Sequence, residues 1–223
     1  MIVASIEQLR DPCVLVEEDA YYIYGTGWVC YKNTSGSLDG EWEYLGVVAQ
    51  KPAESDNNYW APEVHKYKGA YYMFTTYHSS VTGNRGCTIM KADRPEGPFR
   101  EITNGHITPH DWDSIDGTFY FDDDGQLLMI WSNFAKDGYC VGIARSDNGK
   151  IDGNWTQDGE LLYSRTLQGK YDGGHGMIFY DRDGQMYLSI HSPNSTVGKR
   201  KETPVFIPIR EQNGTLVWSL WKE

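Results

Sequence analysis

Four stretches of the chain repeat one pattern of apolar and polar positions: a short apolar strand, a polar turn, and a second strand rich in aromatics. They read DPCVLVEEDAYYIYGTG from Asp11, APEVHKYKGAYYMFTTY from Ala61, DGTFYFDDDGQLLMIWSN from Asp116 and GHGMIFYDRDGQMYLSIHS from Gly174. The second strands begin at Ala20, Ala70, Gln126 and Gln185, in steps of 50, 56 and 59 residues. In the last two repeats the turn is almost the same text, FDDDGQ and YDRDGQ. Asp-Gly between two runs of β-formers predicts a hairpin, because glycine accepts a positive φ at little cost.

Third strands follow, GWVCYK from Gly27, GCTIMKAD from Gly86, YCVGIARS from Tyr139 and TPVFIPI from Thr203. Three repeats then carry an acidic-Gly-x-aromatic turn, at Asp39-Gly40-Glu41-Trp42, Glu96-Gly97-Pro98-Phe99 and Asp152-Gly153-Asn154-Trp155. No segment sustains a 3.6-residue apolar period, so helices are expected to be absent or short. Four-stranded units recurring every ~50–60 residues predict an all-β fold, a β-propeller of four blade-like repeats. The repeats span about 11–60, 61–114, 115–172 and 173–223 of one domain covering 1–223.

Composition narrows the partners. The 223 residues include 16 Tyr, 8 Trp and 24 Gly, which suits short strands, many turns and an aromatic stacking surface. A net charge of −11 argues against nucleic acid, which needs concentrated Lys and Arg, and against an anionic membrane. No stretch has the roughly 18 consecutive apolar residues of a membrane-spanning helix. The N-terminus lacks a basic region followed by an apolar run, so no signal peptide is expected and the reading is cytoplasmic. Cys13, Cys30, Cys87 and Cys140 show no metal-like spacing and read as four buried, reduced thiols. His65, His78, His106, His110 and His191 form no HExxH pair.

In a propeller the first strand of each blade lines the central channel. The residues at that point of the four repeats are Asp11, Glu63, Asp116 and His175. Unpaired buried charge is costly, so three carboxylates and an imidazole at equivalent points favour a site over core packing.

At these residues the chain resembles glycoside hydrolase family 43. The matching text is Asp11-Pro12 followed by Tyr21-Tyr22-Ile23-Tyr24-Gly25-Thr26, then Trp60-Ala61-Pro62-Glu63-Val64, Ile115-Asp116-Gly117-Thr118, and Gly173-Gly174-His175-Gly176-Met177. The resemblance implies a five-bladed propeller that hydrolyses α-L-arabinofuranosides, β-xylosides and related plant glycans with inversion. It implies that Asp11 is the general base, activating water opposite the leaving group, and that Asp116 tunes and orients the acid. His175 matches a histidine that helps hold a calcium or other ion on the axis. Trp60 and Glu63 match a segment that shapes the sugar pocket, and Trp28, Tyr77 and Trp131 join Trp60 as candidate sugar-binding aromatics. The implied partner is a carbohydrate.

The chain departs from the family in having four repeats where a relative has five. The junction falls near Asp124-Gly125-Gln126, so Asp116 stands either for the tuning Asp or for the acid, not both. The expected acid has no separate counterpart. Glu96-Gly97-Pro98 offers similar text but occupies an outer turn, which leaves Glu63 as the other inward carboxylate. Two readings follow: an inverting glycosidase on arabinofuranosyl or xylosyl groups, or a non-catalytic glycan-binding or structural propeller that has lost its acid. If four blades leave the ring open, exposed blade faces favour a homo-oligomer.

Overall fold

The computed structural model describes residues 2–106, 110, 115–116, 118–122, 124–135, 138–149, 155–167, 170–194 and 200–219. Along the chain the strands are β1 (Ile2–Val3), β2 (Cys13–Val16), β3 (Tyr21–Gly25), β4 (Val29–Asn33), β5 (Glu43–Val47), β6 (Ser55–Tyr67), β7 (Ala70–Ser79), β8 (Arg85–Ala92) and β9 (Arg100–Glu101). They continue as β10 (Thr118–Phe121), β11 (Leu127–Ala135), β12 (Gly138–Ser146), β13 (Trp155–Gln157), β14 (Gly174–Tyr180), β15 (Met186–Ser192), β16 (Thr203–Gln212) and β17 (Thr215–Trp218). No helix occurs among the described residues. The chain divides into two compact units, residues 10–116 and residues 1–9 with 117–223. Each unit holds two antiparallel, blade-like meanders, the all-β propeller architecture that the repeats predict.

In the unit of residues 10–116 the sheets run β2-β3-β4-β5 and β6-β7-β8-β9. Every residue of β3 is buried, so this strand has no solvent face and reads as a continuous apolar run. The two meanders are joined by packing of β2 and β3 against β6. A hydrogen bond from the Val64 N–H to Cys13 Sγ, at 3.1 Å, reinforces that seam. The outer turn at Glu96-Gly97 closes the other side. Phe99 N–H donates to Val48 O at 2.7 Å and Gln50 N–H to Phe99 O at 2.8 Å, while the Phe99 ring meets Tyr24 edge-on at 6.1 Å. Gly97 has φ +76°, and a Cβ there would sit 2.2 Å from Val48 O, so only glycine lets the turn approach this closely. Glu96 accepts hydrogen bonds from Tyr22 Oη at 2.7 Å and Lys32 Nζ at 3.2 Å, a structural tie consistent with its place in a turn.

The other unit contains β10-β11-β12-β13 and β14-β15-β16-β1, with β17 also paired to β16. The two near-identical Asp-Gly turns fold alike. Asp122 N–H donates to Gln126 O and its Oδ1 accepts from Gln126 N–H, and Asp181 makes the same pair with Gln185. Gly125 and Gly184 take φ of 76° and 77°. The core joins Leu128, Ile130 and Val141 of one sheet to Leu188, Ile190 and Val205 of the next. The last sheet takes its outer strand from the far end of the chain, with Ile2 opposite Phe206 and Val3 opposite Val205. The turn expected at Asp152-Gly153-Asn154 lies outside the described residues.

All four cysteines are without a disulfide bond, with Cys13, Cys30 and Cys140 buried and Cys87 half-buried.

Candidate functional site

Six of the eight residues singled out from sequence, Asp11, Trp28, Trp60, Glu63, Tyr77 and Asp116, fall in the unit of residues 10–116. Asp11 precedes β2, is only 7% exposed, and takes a left-handed φ of 55°. That conformation is strained for a residue with a side chain, at about 1–3 kcal/mol, and persists where the surroundings over-determine it. Here the surroundings are specific. The Thr26 hydroxyl donates to Asp11 Oδ2 and accepts from the Ala61 N–H at 3.2 Å. Thr26 N–H donates to Arg10 O at 2.9 Å, and Arg10 Nε stands 3.8 Å from Asp11 Oδ1. One hydroxyl therefore fastens the Asp11 carboxylate to the backbone beside Trp60.

Trp60 lies on β6, which carries register shifts between Asn57 and Trp60 and again between Trp60 and Glu63. Such bulges re-aim side chains out of the regular alternation. The Trp60 ring is half-buried with the Arg85 guanidinium carbon 5.0 Å from its centroid, and Arg85 Nε donates to Asn58 Oδ1 at 3.0 Å. The Trp60 carbonyl accepts from Thr75 Oγ1 at 2.6 Å, and that hydroxyl accepts from Trp28 Nε1 at 2.6 Å.

Asp116 is exposed, with φ of 41°. It lies against Cys87, whose thiol is pushed up mainly by burial and further by the Asp116 charge. Cys87 is opposite Thr76 on β7, and Thr76 is opposite Trp60 on β6. Two strand spacings, about 10 Å, thus separate the backbones of Trp60 and Cys87. Asp11 is anchored through Thr26 next to Trp60, while Asp116 lies by Cys87 on β8. Glu63 is tied up differently: its Oε1 lies 3.0 Å from His65 Nε2, on the same face of β6 two residues on. Burial raises the Cys13 thiol, and the Glu63 charge raises it further.

Trp28 and Tyr77 are core residues in this structure, at 1% and 0% exposure, where a sugar-facing aromatic was expected. Their polar tips are satisfied within the protein, by the buried Thr75 and the half-buried Glu101. Trp28 donates to Thr75 and packs on Tyr59 at 4.6 Å, while Tyr77 Oη donates to Glu101 at 3.1 Å and its ring meets His106 at a tilt, centroids 4.3 Å apart. The groups that sequence reasoning did not single out are Thr26, Thr75 and Arg85. Thr26 stands inside the Tyr24-Gly25-Thr26 text, and that nearness to Asp11 in the motif is the one signal for it.

His175 and Trp131 belong to the other unit. His175 is half-buried at φ of 53°, and its backbone N–H donates to Ser132 Oγ at 2.8 Å. Among the described residues no three His, Cys, Asp or Glu side chains gather in a metal-holding group. Trp131 pairs with Gly142 in the β11–β12 ladder, and its side chain lies outside what is described.

A half-buried aromatic ring beside a carboxylate anchored through Thr26 to the neighbouring Ala61 N–H, carried on blade-like meanders, is an arrangement suited to a sugar ring. The sequence profile of the glycosyl hydrolases family 43 matches residues 4–138, and the chain belongs to that family. It is 33% identical over 200 residues to the probable arabinan endo-1,5-alpha-L-arabinosidase C of Aspergillus niger, covering 81% of this chain and 61% of that protein. The chain thus spans less than two thirds of that relative's length. Among solved structures it is similar to the endo-arabinase from Bacteroides thetaiotaomicron, with 29% identity, a TM-score of 0.80, and coverage of 96% of this chain and 98% of that one. A thermostable family-43 glycoside hydrolase shares the fold at 18% identity and a TM-score of 0.77, with coverage of 97% and 94%.

Proposed function

We propose that the protein hydrolyses arabinofuranosyl linkages of an arabinan-type glycan by an inverting mechanism, with Asp11 as general base. The observation that carries this reading is the Asp11 carboxylate itself: nearly buried, held at an unfavourable φ, and tied through one hydroxyl to the strand that presents Trp60. Trp60 offers a ring face for the C–H surface of the sugar, steadied from one side by Arg85. Asp11 accepts a proton from the water that attacks the anomeric carbon, and Asp116 serves the leaving-group side as the acid or the group that orients it. The names of the relatives favour arabinan over xylan as the substrate, and xylosyl groups are the second choice.

The experiment is hydrolysis of arabino-oligosaccharides with the product anomer followed by proton NMR. Asp11→Asn should lower kcat by about 10²–10⁴ while ligand affinity stays near that of the unaltered protein, since the base acts in the transition state. An Asp11→Asn protein with near-normal kcat ends the assignment. If the unaltered protein binds these oligomers and cleaves none, including activated aryl arabinofuranosides, the glycan-binding reading replaces the enzymatic one. The exposure of Asp116 is the observation that keeps that second reading in play.

A further inference from the structure

A cleft of about 450 Å³ opens at the opposite end of the second sheet from Trp60, where β8 ends and β9 begins. Three cations line it: Lys91, Arg94 and Arg100. Lys91 and Arg100 are directly opposite each other in the β8–β9 ladder. Like charges in that position repel, and a sheet ordinarily avoids the arrangement. Among the described residues neither is relieved by an acid. Arg100 Nη1 donates to the neutral Gln50 Oε1 at 2.8 Å, and Lys91 Nζ lies 5.9 Å from the Tyr72 ring centroid. Among the described residues, none of the three cations is in an ion pair, although the chain carries 31 acidic residues against 20 basic ones. One acid, Asp93, also borders the cleft, and Pro98 and Ile102 supply apolar wall.

We propose that this cleft binds an anionic saccharide through its carboxylates, a run of uronic acid residues, at a site separate from Asp11 and Trp60. The chemistry selects the ligand. Two guanidinium groups present planar, paired donors that match a carboxylate, and Lys91 adds a point charge to the same lining. The apolar wall suits the C–H face of a sugar ring and would be wasted on a bare inorganic anion. The volume lies in the range of small-ligand clefts. With a net charge of −11 the protein repels anions at long range, so binding must come from these local contacts and fall with added salt. Lys91 lies four positions along β8 from Cys87, about 13 Å, which allows both sites to be filled together. The proposal takes from the function above only that the ligand is a saccharide.

The test is calorimetric titration of the whole protein with three probes: tri-galacturonate, its methyl ester, and inorganic phosphate. Tri-galacturonate should bind, and the Arg94→Gln/Arg100→Gln double variant should bind it at least tenfold more weakly. The methyl ester should bind at least tenfold more weakly than the acid, and phosphate should not displace the trimer at equal concentration. Hydrolysis of arabino-oligosaccharides should be the same in the double variant and the parent, so loss of activity and loss of this site are read independently. Removing Arg100 also removes a like-charge pair, so the variant should melt no lower than the parent. If it fails to fold, Lys91→Gln serves, with a smaller loss of binding expected. Equal binding of acid and ester, equal binding by variant and parent, displacement by phosphate alone, or no binding of the trimer each overturns the proposal.

Discussion

Thr75→Val isolates the two hydrogen bonds that join the buried Trp28 indole to the Trp60 carbonyl. The hydroxyl of this residue, only 3% exposed, accepts from Trp28 Nε1 and donates to the Trp60 carbonyl, each at 2.6 Å. Valine keeps the shape and removes both bonds. The indole N–H of Trp28 would then be buried without its acceptor, a penalty of about 1–3 kcal/mol, and the Trp60 carbonyl would lose a donor worth about 1 kcal/mol. The sum is about 2–4 kcal/mol. For a chain of this size each kcal/mol moves Tm by roughly 2–4 °C, so a fall of about 5–15 °C is expected. Thr75→Ser keeps the hydroxyl and loses a methyl group, a change of about 1 kcal/mol. Urea denaturation followed by tryptophan fluorescence, with thermal melts alongside, ranks the three proteins. A Val variant as stable as the Ser variant would refute the reasoning, because packing rather than the two bonds would then hold Trp28.

Gly97→Ala places a Cβ 2.2 Å from Val48 O at φ +76°, and should destabilise the unit of residues 10–116 by about 1–3 kcal/mol in urea denaturation. Burial holds the His106 imidazolium below its ordinary value of 6.5, assisted by the charge of His110 and opposed by the Tyr77 backbone. The unfolded chain then takes up that proton first, so stability falls as pH drops below about 6.5, and His106→Phe should flatten that part of the pH–Tm curve. Burial raises the Cys13 and Cys30 thiols, so both should stay unreactive toward a thiol reagent at pH 8 in the native protein and react on unfolding.

The hairpins were legible because their chemistry is local. An aspartate at the turn start caps the N–H four residues on, and glycine supplies the positive φ, so FDDDGQ and YDRDGQ announce the same geometry. The strand at Ile2–Val3 was not legible, because its partner lies some two hundred residues away and two residues carry no periodicity. Trp28 and Tyr77 show a different limit. An aromatic near a strand end reads the same whether it walls a pocket or fills a core. What decides is whether its N–H or O–H finds an acceptor within the fold, and Thr75 and Glu101 are invisible as partners until the strands are paired. Asp11 stood out through its place at the head of a repeat and through the family text around it. The hydroxyl that holds it stood unremarked inside that text.

Those two threonines make the support of Asp11 and the packing of the two meanders one structure. Asp11 is bound by Thr26, Thr26 by the Ala61 N–H, the neighbouring Trp60 carbonyl by Thr75, and Thr75 by the indole of Trp28. Trp28 in turn follows Gly27, whose N–H donates to Tyr59 O at 2.7 Å on the strand that carries Trp60. The path leaves the first sheet at Thr26, crosses to β6 and β7, and returns through Trp28. Sliding either sheet along the other would break several of these bonds together. A strained Asp11 can therefore persist, since relaxing its φ would require giving up the Thr26 bond at one end of the loop. A carboxylate held this way keeps its position when substrate arrives, as a general base must if it is to aim a water at one face of a sugar.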